Sequence, residues 1–170
     1  MRAAKPSFTV RPARLADALG IAGVHHAAVH GLAAEHYPGG VLDLWAPPVS
    51  LSAAERRYRE AQDEGGLCFV AESAGAVVGF GIVAPEAGEV VACYVAPEVA
   101  RCGVGRQLLA MLETAATSVG TFELAVRTSL NARPFYSARG YRVTHRAEHQ
   151  FEDGTTMAVA FMRKDLTPLV

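Results

Sequence analysis

The chain has 170 residues, of which 51% are hydrophobic and 19% are charged, and its formal net charge is -1. This length is typical of one domain that buries a core without metals or disulfides, and the composition excludes a disordered or fibrous protein. The nearly neutral charge lacks the broad basic footprint of a nucleic-acid binder, so we expect no nucleic acid as a partner, although local arginines could attract an anionic ligand.

The cysteines and the amino terminus indicate the cellular environment. Cys68, Cys93 and Cys102 are scattered and form no CxxC pair, so the sequence predicts neither a disulfide framework nor a zinc site and fits a reducing cytosol. No apolar segment follows the charged amino terminus, and no stretch approaches the roughly 18 apolar residues of a membrane span. We therefore expect a soluble, unprocessed, cytoplasmic protein without a membrane partner.

The spacing of apolar residues predicts strands and helices along the whole chain. Alternation at every second residue indicates strands, recurrence at three and four residues indicates helices, and glycines and prolines mark the turns. In chain order the predicted elements are a strand over 8–11, a helix over 15–36, a loop over 37–50 with a short helical piece at 42–45, a helix over 52–64, strands over 67–72, 76–84 and 89–96, a helix over 103–119, a strand over 122–127, a short helix over 131–140, and strands over 141–151 and 155–163.

These elements predict one α/β (α+β) domain. It spans residues 1–170 with its core at about 8–164, and no internal repeat or long linker divides it. We expect a mixed, mostly antiparallel central sheet of about seven strands flanked by four helices, with the strand direction changing through the helix over 103–119.

Helix-cap signals predict where two of the helices begin. Ser52 followed by Glu55 has the capping-box pattern for the second helix. Asn131 is a candidate N-cap of the fourth helix, Pro134 is suited to its first turn, and Gly140 is suited to its end.

Two glycines, Gly103 and Gly105, stand between a proline-ended apolar run and the first turn of the third helix. A helix amino terminus is an anion site, glycines let a phosphate approach the backbone, and Arg101 and Arg106 could add charge from either side. A Rossmann fingerprint would need a third glycine in place of Leu108, and a P-loop would need Gly-Lys-Ser/Thr. The alternative is that the glycines only make a tight turn, because GxG alone is a weak signal.

Three motifs occur in order around this loop: YVAP at 94–97, ARCGVG at 100–105 and NARPFYSARGY at 131–141. Together with the order of elements from residue 8 to 163, they resemble the GNAT superfamily of N-acetyltransferases. The pattern of that superfamily is a strand ending near V-x-P, a Q/R-x-x-G-x-G/A loop that opens a helix, and N-x-x-x-x-Y-x-x-x-G-[FY]. One departure is Ala100, where the family carries Gln or Arg, with Arg101 one place later.

The resemblance implies acetyl-CoA as co-substrate and no metal. The pyrophosphate would be bound by backbone N–H groups of the loop, the pantetheine arm would pair with the backbone of the fourth strand, and one asparagine side chain would hydrogen-bond that arm. The implied residues are Arg101, Cys102, Gly103, Val104, Gly105 and Arg106 in the loop, Cys93, Tyr94 and Val95 in the strand, and Asn131. Each group also has an alternative without a ligand. The loop residues could only form a turn, the strand residues could only belong to the core, and Asn131 could only cap the fourth helix.

The resemblance also implies two catalytic residues. Tyr136 would donate a proton to the CoA thiolate as it leaves, and its alternative is a buried tyrosine that packs on the sheet. An amine is mostly protonated at pH 7, so something must take a proton. Glu89 stands where histone-acetylating members of the superfamily carry a glutamate base that acts directly or through water, and its alternative is a solvent-exposed carboxylate at a strand end, in which case a water chain would take the proton.

The acceptor side is expected to be covered by the first two helices and their connection. This makes His30, Tyr37 and Trp45, with Glu35 and His36 between them, candidate substrate residues, unless they only pack and cap a mobile lid. His26 and His30 are four residues apart, but no HExxH motif or third ligand accompanies them, so we expect no metal site.

The functional hypothesis is transfer of an acetyl group from acetyl-CoA to a primary amine by direct attack in a ternary complex. The backbone N–H near Val95 would polarise the carbonyl. The acceptor, a small-molecule or peptide amine, is not identified by the sequence, and a homodimer could form through the final strands. The alternative is a non-catalytic acyl-CoA-binding module that senses the cofactor or regulates a partner, which Ala100 favours and Tyr136 and Asn131 disfavour.

Overall fold

One mixed sheet of seven strands forms the centre of the computed structural model, which describes residues 7–167. The strands are β1 (Thr9–Pro12), β2 (Leu67–Ser73), β3 (Ala76–Ala84), β4 (Glu89–Val95), β5 (Glu123–Ser129), β6 (Arg142–Gln150) and β7 (Thr156–Asp165). The helices are α1 (Ala18–Leu32), α2 (Gly39–Trp45), α3 (Leu51–Asp63), α4 (Val104–Ser118) and α5 (Arg133–Ser137), with 3-10 turns at Leu15–Asp17 and Pro97–Val99. Residues 1–6 and 168–170, which the predicted domain span includes, lie outside the described range.

The strands follow the spatial order β1-β2-β3-β4-β5-β7-β6. Neighbouring strands are antiparallel except β4 and β5, which are parallel and are connected through α4. The predicted α/β (α+β) class with a mostly antiparallel seven-stranded sheet is therefore confirmed. Within residues 7–167 the α-helices number five instead of four, because the helical piece predicted at 42–45 extends over the whole of α2.

Helices cover both faces of the sheet. Successive side chains of a strand point to opposite faces, and in β3 Phe80 and Ile82 face α1 and α3 while Gly81 faces Leu112 of α4. The apolar stripe of α4 includes Leu108, which like Leu112 is 0% exposed. The central strands of the sheet thus form a buried middle layer, whereas the edge strand β6 is mostly exposed.

The first helix is shorter than predicted, since α1 ends at Leu32 rather than at about residue 36. The following turn is attached to the sheet by the buried Tyr37. Its hydroxyl donates a hydrogen bond to the Ala158 carbonyl at 2.6 Å and accepts one from the Leu130 N–H at 2.8 Å. These contacts come from distant parts of the chain, so the helical periodicity of the sequence did not reveal where α1 stops.

Two predicted N-caps are wrong. The N-cap of α3 is Ser50, whose hydroxyl accepts from the Ala53 N–H, whereas Ser52 lies inside the helix. The N-cap of α5 is Ala132 rather than Asn131, and no side chain caps that helix. The prediction that Pro134 lies in the first turn of α5 is confirmed.

Candidate active site

A β-bulge in β4 bends the strand next to the only parallel pair described in the sheet. Ile82 of β3 pairs with Ala92, whereas the next residue, Val83, pairs with Val90, which leaves Val91 as an extra residue. A bulge bends its strand and increases the local twist. The bend turns the second half of β4 away from β5.

The strands β4 and β5 separate beyond this bulge. They pair at Glu89 and Val90 only, although β5 continues to Ser129 and keeps its pairing with β7. The edge of β4 that faces β5 is therefore unpaired over residues 91–95. Between the separated strands opens a cleft of about 720 Å³, lined by both strands, α1, α4 and α5.

The amino terminus of α4 lies at this cleft, and its two positions 103 and 105 require glycine for different structural reasons. Gly103 is the N-cap with φ +94°, a left-handed conformation that favours glycine, and a Cβ added there would meet nothing within 4 Å. Gly105 is helical, but its Cβ would lie 3.1 Å from Cε2 of Phe135 and 3.4 Å from Cγ2 of Val95. One glycine permits the turn and the other permits close packing of α4, β4 and α5.

The loop before α4 presents backbone donors and two arginines. The N–H of Gln107 bonds to the Gly103 carbonyl, so the N–H groups of the preceding turn have no partner inside the helix. Arg101, which lines the cleft, has φ +61°, a conformation that costs a non-glycine residue about 1–2 kcal/mol. Arg106 also lines the cleft and is exposed. This arrangement suits an anionic ligand.

Asn131 contributes an unsatisfied acceptor. Its Oδ1 atom is buried without a hydrogen-bond partner among residues 7–167, and the residue lines the cleft. Buried polar atoms nearly always have a hydrogen-bond partner. The Oδ1 atom at the wall of the cleft could therefore accept a hydrogen bond from an N–H group of a bound molecule. The residue is therefore free for ligand binding, since it does not cap α5.

The floor of the cleft contains a tyrosine and a cysteine in their neutral forms. Burial raises the pKa of the Tyr136 hydroxyl well above its usual value, so at neutral pH the phenol keeps its proton. Tyr136 is 4% exposed and packs edge-on against the rings of Phe135 and Tyr141. Burial also raises the pKa of the Cys93 thiol to about 12, which leaves it a poor nucleophile.

An aromatic wall closes the cleft on the side of α1 and α2. Tyr94 stacks on Phe80 with the ring centroids 5.5 Å apart, and it meets the rings of His25 and Trp45 edge-on at 4.8 Å and 6.3 Å. Burial raises the pKa of Tyr94 to about 12 and lowers that of His25 to about 4. Both side chains are therefore uncharged at neutral pH, and the wall is apolar in character.

The structure brings most of the predicted site residues together around this cleft. Those that line it are Cys93, Tyr94, Val95, Arg101, Gly103, Gly105, Arg106, Asn131, Tyr136 and, from the acceptor-side candidates, His36 and Trp45. Those that do not line it are Glu89, Cys102, Val104, His30, Glu35 and Tyr37. Val104 packs into the core at 1% exposure, so only its backbone is available to a ligand.

Glu89, the predicted base, lies apart from the cleft. It is the exposed first residue of β4, still paired with β5 and before the bulge. The lining of the cleft begins two residues further along the strand, at Val91, and Tyr94 stands five residues further, which corresponds to roughly 16 Å at the usual rise per residue. Among the residues of 7–167 that line the cleft there is no aspartate or glutamate. A role for Glu89 as base stays a prediction that this geometry does not support.

His26 and His30 of α1 both contact the carboxyl end of α2. Nδ1 of His26 and Nε2 of His30 each lie 3.0 Å from the carbonyl oxygen of Ala46, the residue that ends α2, and their rings are 4.2 Å apart. This contact explains their spacing without a metal. Among residues 7–167 no three His, Cys, Asp or Glu side chains are grouped to hold a metal ion. The substrate role predicted for His30 and Tyr37 is not supported by their positions.

Several cleft residues were not found from the sequence. Arg127, Thr128 and Ser129 come from β5, Phe135 comes from α5, and Arg139 comes from the turn after α5. The Arg139 guanidinium lies 4.3 Å from the centroid of the Phe135 ring and donates to the Phe135 carbonyl at 3.1 Å. Their four-residue spacing within the helix predicted over 131–140 was an available signal for that pair. The signal for Arg127 was weaker, because it is one of two charged residues of β5, with Glu123, at exposed positions that alternate with buried ones.

Comparison with known proteins gives the same class as the fold and the cleft. The family described as acetyltransferase (GNAT) domain matches residues 41–165. A GCN5-related N-acetyltransferase from Rhodopseudomonas palustris superposes with a TM-score of 0.82 at 29% identity, over 98% of this chain and 99% of the other. The search among curated proteins gave no match.

Two further solved structures are similar in fold and were determined with the coenzyme. The PaiA N-acetyltransferase of Thermoplasma acidophilum, in complex with coenzyme A, has a TM-score of 0.73 at 18% identity, covering 94% of this chain and 99% of the other. A phosphinothricin acetyltransferase of Sinorhizobium meliloti, in complex with acetyl-CoA, has a TM-score of 0.72 at 22% identity, covering 94% and 88%.

The chain belongs to the GNAT family of acetyltransferases. This agrees with the resemblance read from its motifs. Within residues 7–167, none of the helices is both long enough and apolar enough to span a membrane.

Proposed function

We propose that the protein is an N-acetyltransferase that moves an acetyl group from acetyl-CoA to a primary amine by direct attack in a ternary complex. The observation that carries this proposal is the convergence of three features on one cleft: the free amino terminus of α4, the orphaned Oδ1 of Asn131 and the protonated hydroxyl of Tyr136. Acyl transfer from a thioester needs an anion site, an anchor for the arm and a proton donor.

The residues present fit acetyl-CoA. The backbone N–H groups of the first turn of α4, with Arg101 and Arg106, would hold the pyrophosphate, and the open space at Gly103 leaves room for it. The unpaired edge of β4 would pair with the amides of the pantetheine arm, and Asn131 Oδ1 would accept from one of them. When bound there, acetyl-CoA supplies an acetyl group activated as a thioester.

Tyr136 is suited to act as the general acid. The amine nitrogen forms its bond to the acetyl carbon as the bond from that carbon to sulfur breaks. The nitrogen then loses one proton, to Glu89 or a water chain, and the leaving sulfur gains one. A buried phenol with a raised pKa holds that proton at neutral pH, and transfer from a positioned acid lowers the barrier. The backbone N–H of Val95 would polarise the carbonyl in the same step. Cys93 keeps its proton, so attack by the amine itself is favoured over a cysteine intermediate.

Titration calorimetry and an assay of thiol release test the proposal. We expect micromolar binding of acetyl-CoA and of CoA, and release of the CoA thiol with at least one amine of a broad panel. Tyr136→Phe should lower kcat by roughly 10²- to 10⁴-fold while leaving the Kd for acetyl-CoA unchanged. Tyr58→Phe is the matched control, because Tyr58 lies on α3 outside the cleft.

The other outcomes separate the alternatives. Binding of acetyl-CoA without thiol release for any amine would favour the non-catalytic acyl-CoA-binding module. Full kcat in Tyr136→Phe would refute the role of this residue as the acid. Failure to bind CoA at all would mean that the glycines of the loop only make a turn.

A further inference from the structure

The charges that line the cleft all have one sign. Within residues 7–167 the lining contains Arg101, Arg106, Arg127 and Arg139 but no aspartate or glutamate. A cleft with one sign of charge concentrates ligands of the opposite sign and repels ligands of its own. Arg101 and Arg106 stand at the two ends of residues 101–106, the turn into α4 that we call the anion loop. Arg139 donates from Nη1 to the Phe135 carbonyl, while its Nε is buried without a partner among residues 7–167. Arg127 is the remaining arginine of the lining.

Arg127 lies on the sheet face that α1 and α2 cover. In β5 it is directly opposite Phe161 of β7, which in turn is opposite His145 of β6, and directly opposed residues point to the same face. Val159, two residues before Phe161 and therefore on the same face, packs in one cluster with Val29 of α1 and with α2. The helix α4 covers the opposite face. Arg127 is therefore on the acceptor side rather than on the side of the anion loop.

The guanidinium of Arg127 has no anionic partner. Among residues 7–167 no carboxylate lies within ion-pair distance of it. It donates from Nη1 to Nδ1 of His149 at 3.3 Å, and burial, with a smaller effect of Arg127, lowers the pKa of that imidazole. A neutral histidine accepts one hydrogen bond, and the other N–H groups of the guanidinium remain for a ligand.

The surroundings of Arg127 combine a positive charge with apolar surface. Its positive charge acts on the Tyr94 hydroxyl, whose pKa is raised mainly by burial. Tyr94, Trp45 and the partly exposed Leu32 supply apolar surface in the same cleft. A ligand that satisfies this half of the cleft has an oxyanion for the guanidinium and a short apolar part for the aromatic wall.

We propose that the acceptor is a small amine that also carries a carboxylate or another oxyanion, and that Arg127 binds this anion. Arginine is suited to this role because its planar fork of donors matches a carboxylate or phosphonate with two parallel hydrogen bonds. Polyamines, other polycations and lysine-rich peptides fit poorly, since the cleft offers them no carboxylate. The inference rests on the proposed N-acetyltransferase function and names the substrate class of the same site.

The experiment compares matched pairs of acceptors in the assay of thiol release. Each pair is an L-amino acid and its amide, for example methionine with methioninamide and phenylalanine with phenylalaninamide. The pair 2-aminoethylphosphonate and ethanolamine separates phosphonate from carboxylate recognition, and spermidine represents polycations. At neutral pH a larger fraction of the amide than of the amino acid has an uncharged, nucleophilic amine. This difference favours the amides, so a higher rate with the amino acids cannot result from it.

We expect a higher kcat/KM for the anionic member of a pair than for its neutral partner. Arg127→Gln should raise the KM for the anionic member roughly 10- to 100-fold, the usual cost of losing hydrogen bonds to a charged group. The KM for the neutral member and the Kd for acetyl-CoA should not change. Arg146→Gln is the control, because Arg146 is an exposed arginine of the edge strand β6 that does not line the cleft.

Two kinds of failure are distinguishable. Thiol release with no preference for the anionic members, or best release with spermidine, or an equal loss for both members in Arg127→Gln, would overturn this inference and leave the N-acetyltransferase proposal standing. Binding of acetyl-CoA with no release for any member of the panel would count against the proposed function, and this inference would fail with it.

Discussion

The two glycines of the anion loop should respond differently to alanine. In Gly103→Ala the new side chain meets nothing within 4 Å, but the backbone is left-handed with φ +94°. That conformation costs alanine about 1–2 kcal/mol relative to glycine. We expect the free energy of unfolding to fall by this amount, measured by urea denaturation.

Gly105→Ala is expected to be closer to neutral in stability. Alanine in a helix is favoured over glycine by roughly 0.5–1 kcal/mol, and this gain offsets part of the overlap with the Phe135 ring, whose Cε2 would lie 3.1 Å from the new Cβ. Relief of the overlap must move Phe135 or Val95, both of which line the cleft. The variant should therefore lose affinity for acetyl-CoA more than it loses stability.

A double-mutant cycle with Phe135→Leu tests the reason for the difference. Residues in contact couple by about 0.5–3 kcal/mol, whereas independent sites add. Leucine removes the ring atoms nearest to the Cβ of residue 105, so Phe135→Leu should reduce the effect of Gly105→Ala and should be additive with Gly103→Ala. Wild-type stability in Gly103→Ala would refute the backbone argument. Additivity in the Gly105 cycle would refute the contact argument.

Two further predictions concern parts of the fold that hold the acceptor side. Tyr37→Phe removes the two hydrogen bonds to Ala158 and Leu130 and should lower the free energy of unfolding by about 1–3 kcal/mol; an unchanged melting temperature in calorimetry would contradict this. His25 has a folded pKa of about 4, below its unfolded value of about 6.5, so the unfolded chain binds the extra proton between these pH values. Its contribution to stability is complete above pH 6.5 and should fall by about 3 kcal/mol as the pH drops to 4. In His25→Phe this part of the pH dependence should disappear from denaturation curves recorded across that range, and a variant as acid-sensitive as the wild type would contradict the assignment.

The fold was predictable because it follows from periodicity, which is a local property of the sequence. The strands, the parallel crossover through α4 and the long helices could be predicted in this way. Helix ends were less predictable, because they depend on choices between nearby residues or on distant contacts. Ser50 and Ser52 are both plausible caps two residues apart, and the end of α1 depends on Tyr37 reaching β7 and the end of β5.

The candidate site also has a part that could be predicted from the sequence and a part that could not. Its donor half is built from one continuous loop and the helices that follow, so Gly103, Asn131 and Tyr136 could be found from motifs. Its acceptor half is assembled across strands. The place of Arg127 depends on the register of β5 with β7 and on the bulge at Val91 that separates β4 from β5. Neither the register nor the bulge leaves a pattern of residue types that a single sequence reveals.

The charge of the cleft bears on how the acceptor loses its proton. The predicted base, Glu89, lies outside a cleft whose described lining has four arginines, one histidine (His36) and no carboxylate, while burial keeps Cys93 and Tyr136 neutral. A neighbouring positive charge disfavours an ammonium and lowers the pKa of an amine. The cleft itself therefore favours the uncharged nucleophile, and the ammonium proton can leave to water before attack. A carboxylate next to the amine stabilises the ammonium instead, whether it belongs to a base or to the acceptor itself, so Arg127 bound to the oxyanion of the acceptor, as proposed above, would offset that effect.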